Sequence, residues 1–197
     1  MKTLILAAVA AVGFASTASA ADFDSNVLTT TVETGILEFS ASTGVDSNLN
    51  GFGDDFMVGA KATVLSFGDA DVAVYGAIAE VAGDELSVLG AEVVMTYGAL
   101  ELTGDAAYVM VDDFDNGELV LTPSAEFTIP VAYDLDLFVG AGYSWNATDD
   151  FAKLGGYGEV GVDVMITETL SIRPSVVMPF DTDNDDLSAA IEVTFSF

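Results

Sequence analysis

Three observations predict an all-β protein, a closed antiparallel up-and-down transmembrane β-barrel of about ten strands. The first is period-two alternation, clearest at the end of the chain. There Leu187, Ala189, Ile191, Val193, Phe195 and Phe197 alternate with Ser188, Ala190, Glu192, Thr194 and Ser196, so a pleated strand shows one apolar and one wet face. The second is composition: 51% of residues are hydrophobic and the mean hydropathy is +0.50, yet the formal net charge is -28 and the pI about 4.1. Those values conflict in an ordinary soluble domain but coexist when apolar side chains form an outer band and polar ones occupy the lumen and loops. The third is that no stretch after the N-terminal segment approaches the ~20 apolar residues a spanning helix needs, which leaves a closed barrel as the way across a bilayer.

Taken in order, the chain opens with Lys2, the apolar run Leu4 to Phe14 and the small residues Ala18-Ser19-Ala20. This is the pattern of a cleavable secretory signal over residues 1–20, with a single barrel domain over 21–197. The sequence holds no cysteine, so neither a lipid anchor on sulfur nor a disulfide is expected, although export passes through an oxidising compartment.

Period-two runs between turn signals place strands near 27–42, 54–66, 71–82, 86–98, 100–111, 118–133, 136–147, 153–166, 169–180 and 187–197. Most reach the ~9 to 11 residues that a tilted strand needs to span. Short connections at Gly68–Asp71, Tyr97–Ala99, Tyr133–Asp136 and Thr167–Thr169 alternate with Asp/Asn-rich ones at Thr43–Asp55, Ala82–Glu85, Asp112–Gly117, Thr148–Phe151 and Asp181–Asp186. Short turns on one side and longer loops on the other give this two-beat rhythm, and an even strand count returns both ends to one side. The first segment is irregular, because Glu33 and Glu38 have opposite parity and need a bulge, placed at Gly35, to face the same way. Eight strands remain an option if that segment and another pairing collapse. A secreted β-sandwich also alternates, and it stands as the soluble rival.

A last strand ending on Phe197 resembles the closing strand of a bacterial outer-membrane β-barrel, and the chain as a whole resembles small Gram-negative barrels of the porin-like or OmpA-like kind. The resemblance implies that Phe195 and Phe197 form an assembly signal read by the barrel-assembly machinery. It also implies export through the periplasm to the cell outer membrane, with outer-membrane lipid as a partner. Tyr143 and Trp145 near a loop end, with Tyr97 and Tyr133 at short turns, fit an interfacial aromatic girdle.

Giving the more apolar parity of each strand to lipid leaves an inward set of Glu38, Lys61, Glu80, Glu92, Glu101, Asp105, Glu126, Glu159, Asp163, Arg173 and Glu192. Nine acids against two bases form a lumen that would favour cations, since rings of carboxylates set selectivity in pores. Gly59, Gly90, Gly140, Gly142 and Gly161 share the inner parity and suggest open space, so a narrow hydrated interior is expected. The leading functional expectation is therefore a narrow, passive, porin-like channel for cations. The alternative is a structural or surface-interaction barrel without transport.

Enzyme function is not expected. Membrane-barrel proteases, lipases and acyltransferases rely on histidine, and this sequence has neither histidine nor cysteine for a nucleophilic triad. Four Lys plus Arg exclude nucleic acid as a partner, because phosphate binding needs a basic surface. No cofactor is expected. Asp181, Asp183 and Asp185 copy the opening of a calcium loop, but Asp186 replaces its turn glycine, so no metal site is expected; a solvated acidic loop is the leading reading and weak binding of divalent cations the alternative.

Overall fold

A computed structural model describes residues 26–45, 55–81, 84–111, 117–181 and 187–197. They form eleven strands: β1 (Asn26–Thr34), β2 (Leu37–Val45), β3 (Phe56–Phe67), β4 (Ala70–Val81), β5 (Asp84–Tyr97), β6 (Leu100–Val111), β7 (Gly117–Ala132), β8 (Leu135–Asn146), β9 (Ala152–Thr167), β10 (Leu170–Phe180) and β11 (Ser188–Ser196). Each pairs antiparallel with its sequence neighbours, and β1 closes the barrel against β11 in parallel.

The closed all-β meander is as expected, but the strand count is eleven rather than ten or eight, and odd rather than even. The difference lies in the segment read as one strand over 27–42. Gly35 carries no bulge: with φ at 63° it opens a two-residue turn with Ile36, and the segment folds into the β1–β2 hairpin. Glycine at the first turn position with positive φ suits the twist of a tight hairpin, and Gly68 and Gly98 do the same at the β3–β4 and β5–β6 turns. The parity conflict thereby resolves, because Glu33 and Glu38 are direct cross-strand neighbours on one face. An odd count also separates the ends: β1 starts at the end where the longer loops lie, and β11 finishes at the end of the short turns.

Alternation sorts the side chains into two faces. Val58, Ile78, Leu89, Val139, Met178 and Ile191 stand exposed on the outside, each flanked by inward neighbours that are more buried. The inward face, in contrast, divides along the barrel axis. Its loop half is packed: Val27, Met57, Leu86, Val88, Val109, Val120 and Val177 are all at most 2% exposed, and the buried hydroxyls among them pair with one another, Thr29 with Ser42 and Thr122 with Ser144. Its turn half carries the charges. Burying about seven such side chains at roughly 1.5 to 3 kcal/mol each is a substantial contribution that would be lost if water filled that half.

Candidate functional site

Ten of the eleven expected lumen residues do face inward, and most gather in the turn half and middle of the barrel. Thr31, Glu38, Lys61, Glu92, Glu101, Thr103, Asp163, Arg173 and Glu192 are among the residues around a cavity of about 370 Å³, which reaches Glu33 and Ser196 near the short turns. The exception is Glu80. In β4 the buried residues are Ala73, Tyr75, Ala77 and Ala79, so Glu80 has the parity of exposed Val74 and Ile78 and lies on the outer face near the loop end. The acid misdirects the assignment of a strand that is apolar on both faces. The informative signal is size: the bulky aliphatics face out and the alanines face in.

Lys61 bridges two strands of acids, with Nζ 2.8 Å from Glu38 and 3.2 Å from Glu92. Across the lumen Arg173 donates to Glu126 and lays its guanidinium 3.6 Å from the centre of the Phe138 ring. The Tyr75 hydroxyl donates to Asp105 at 2.6 Å, and the Thr31 hydroxyl to Glu192 at 2.9 Å. These partners offset the cost of placing carboxylates inside a barrel.

Compensation is incomplete, however. Four pairs of acids stand directly opposite one another on neighbouring strands of this face: Glu33 and Glu38, Glu92 and Asp105, Glu101 and Glu126, Asp136 and Asp163. Among the described residues, the carboxylate of Glu159, 3% exposed, and one oxygen of Asp105 find no partner within hydrogen-bond geometry. Like charges directly opposite one another in a sheet destabilise it, and two cationic side chains serve this whole face.

The space implied by three of the five inner glycines is occupied by aromatic rings. A Cβ on Gly90 would lie 2.2 Å from the Tyr75 ring, one on Gly142 would lie 2.5 Å from Tyr157, and one on Gly161 would lie 2.5 Å from Phe138. Each aromatic is the cross-strand neighbour of its glycine and folds across it. In the structure side chains pack in the loop half, and three rings lie inward at the middle. Parity alone does not reveal these rings, because an inner glycine suggests open space until its partner across the strand is known.

On the outer face Tyr143 and Trp145 lie with ring centres 4.7 Å apart, and Tyr143 is 6.2 Å from Phe180, a cluster at the loop end of β8 and β10. Tyr143 donates to Asp181, whose carboxylate also lies 3.7 Å from Lys153. Asp183 and Asp185 lie outside the described residues. Tyr97 and Tyr133 sit at the opposite, short-turn end, fully exposed in the case of Tyr133. Phe195 faces outward, and the backbone N–H of Phe197 donates to the Glu33 carbonyl, so β1 holds the end of the last strand.

No protein-family model matches the chain, and no curated protein matches it. Among solved structures it is similar to OmpT (in-vitro folded), an outer membrane protein of Vibrio cholerae, with 15% sequence identity and a TM-score of 0.35 over 76% of this chain and 52% of that one. The chain thus spans about half the length of that structure.

Proposed function

We propose that this protein is an integral outer-membrane β-barrel whose lumen is closed in its loop half and open as an acidic cup in its turn half, serving as a structural or surface-interaction barrel without a standing pore. The observation that carries the reading is the division of the inner face: buried Met57, Leu86, Val88, Val109, Val120 and Val177 on one side, carboxylates on the other. Support for the membrane comes from the outer face, with exposed aliphatics between an aromatic cluster at the loop end and tyrosines at the turn end. In this arrangement the short turns and the cup face the periplasm. The cleavable signal over 1–20, the assembly role of Phe195 and Phe197, and association with divalent cations belong to the same proposal.

The second reading is a narrow passive channel that favours cations, and the acidic cup supports it. That reading needs a path through the apolar half. Single-channel recording on folded protein separates the two. The expected result is no conductance above background in high salt; discrete cation-selective steps would overturn the closed-lumen reading. If steps appear, Glu92→Gln with Glu126→Gln should weaken cation preference. Migration on a denaturing gel checks the membrane-barrel state itself, since an unheated sample should run differently from a boiled one.

A further inference from the structure

β1 and β2 present nearly the same inward face in opposite chain directions. Outward from the Gly35 turn, β1 carries Glu33, Thr31, Thr29 and Val27, and β2 carries Glu38, Ser40, Ser42 and Gly44. A carboxylate is followed by two hydroxyls and then an apolar or small residue on both strands. The mirror relation matters because β1 is the strand through which the barrel closes on β11, and that seam is the one parallel pairing among the described strands.

The registers on the two sides of β1 can be combined. Glu33 lies between Glu38 and Ser196, Thr31 between Ser40 and Thr194, Thr29 between Ser42 and Glu192, and Val27 between Gly44 and Ala190. Drawing β1 out and closing β2 directly on β11 would set Glu38 opposite Ser196 and Ser42 opposite Glu192. All of these residues keep their inward parity, and the two nine-residue strands overlap along nearly their whole length. The side-chain bonds of the seam have counterparts as well. Ser196 now donates to Glu33, and Glu38 would take that place. Thr31 now donates to Glu192, and the Ser40 and Ser42 hydroxyls would stand beside it instead.

We propose that the chain has two closures: the eleven-strand barrel with a parallel β1–β11 seam, and a ten-strand barrel with an antiparallel β2–β11 seam in which β1 is displaced from the wall. The exchange costs one ladder rather than two. The parallel ladder is the weaker kind per residue, and the new antiparallel ladder replaces it, so the net loss is one β1–β2 ladder. β1 is also poorly suited to lipid, since its outward residues include Thr30 and Thr34 where other strands carry aliphatics. Ten-strand closure removes Val27, Thr29 and Thr31 from the lumen and narrows the circumference by one strand spacing, about 4.8 Å. It also restores the even count of bacterial single-chain barrels.

Cysteine pairs test this directly, because the sequence has no cysteine of its own. Thr30 lies beside both Ala41 and Val193. The pair Thr30→Cys with Val193→Cys can bridge in the eleven-strand closure, whereas Ala41→Cys with Val193→Cys, two strand spacings or about 9.6 Å apart there, can bridge only in the ten-strand one. Both pairs replace outward side chains, and folded full-length protein is selected by its unheated gel mobility before oxidation. The expected result is that both pairs cross-link, the Ala41 pair accumulating with time as the minor state is trapped. Completion of the Thr30 pair with no bridging of the Ala41 pair would overturn the proposal. So would bridging of the Ala41 pair alone, or of neither pair, in folded protein.

Discussion

At the scale of single residues, the lumen is governed by glycines that make room for rings and by carboxylates that outnumber their partners. Gly90→Ala would drive a methyl into Tyr75 and strain its bond to Asp105, and should destabilise the fold by about 1 to 3 kcal/mol, the range for overpacking, in urea titration of the refolded barrel. Gly158→Ala, with no atom within 4 Å of the new Cβ, should be near neutral in the same measurement. Charge changes should have opposite signs on the two sides of one cluster. Glu101→Gln removes a carboxylate standing opposite Glu126 and should stabilise by roughly 0.2 to 1 kcal/mol. Arg173→Met strips Glu126 of its charged donor, leaving the Thr128 hydroxyl, and should cost about 1.5 to 3 kcal/mol, with Glu126→Gln added to it recovering part of the loss. Equal effects of all these changes would mean that the cup is too wet for pairing to matter. Strand parity in the amino-acid sequence makes ten of the inward charges legible. It fails at Glu80 because both faces of β4 are apolar and side-chain size, rather than polarity, tells inside from outside there.

At the scale of elements, the hairpins carry the fold, and most of their turns are readable from glycine and aspartate. The β1–β2 turn is not, since Gly35-Ile36 lacks the usual polar partner and the residues on both sides alternate as one long strand. The parity clash of Glu33 and Glu38 is the available signal, and two strands explain it without a bulge. Gly98 opens the β5–β6 turn with φ at 63°, so Gly98→Val should cost about 1 to 2 kcal/mol and slow refolding into vesicles, while leaving the gel mobility of the folded form unchanged. A second lesson concerns the apolar residues of β5 to β7. The charges Glu92, Asp105 and Glu126 give the inward parity of these strands, but not that the same face turns apolar at Leu86, Val88, Val109 and Val120. A strand whose two faces are both apolar over half its length gives alternation no contrast to register.

At the scale of the whole molecule, the proposed reading is a barrel polarised along its axis, with a packed half at one end and an acidic cup at the end of the short turns. Closed strand architecture is legible from alternation, loop rhythm and the lack of a spanning helix. Which half of the lumen packs is not, because it depends on how inner residues of different strands come level with one another around the barrel. The most direct test uses single cysteines in a chain that has none. Val94→Cys lines the cup and Val88→Cys lies in the packed half, both on the inner face of β5. With folded protein and a water-soluble maleimide, the account predicts ready labelling at position 94 and protection at position 88 until the barrel is unfolded. Labelling of position 88 at the rate of position 94 in the folded state would contradict it and show that water runs the full length of the lumen.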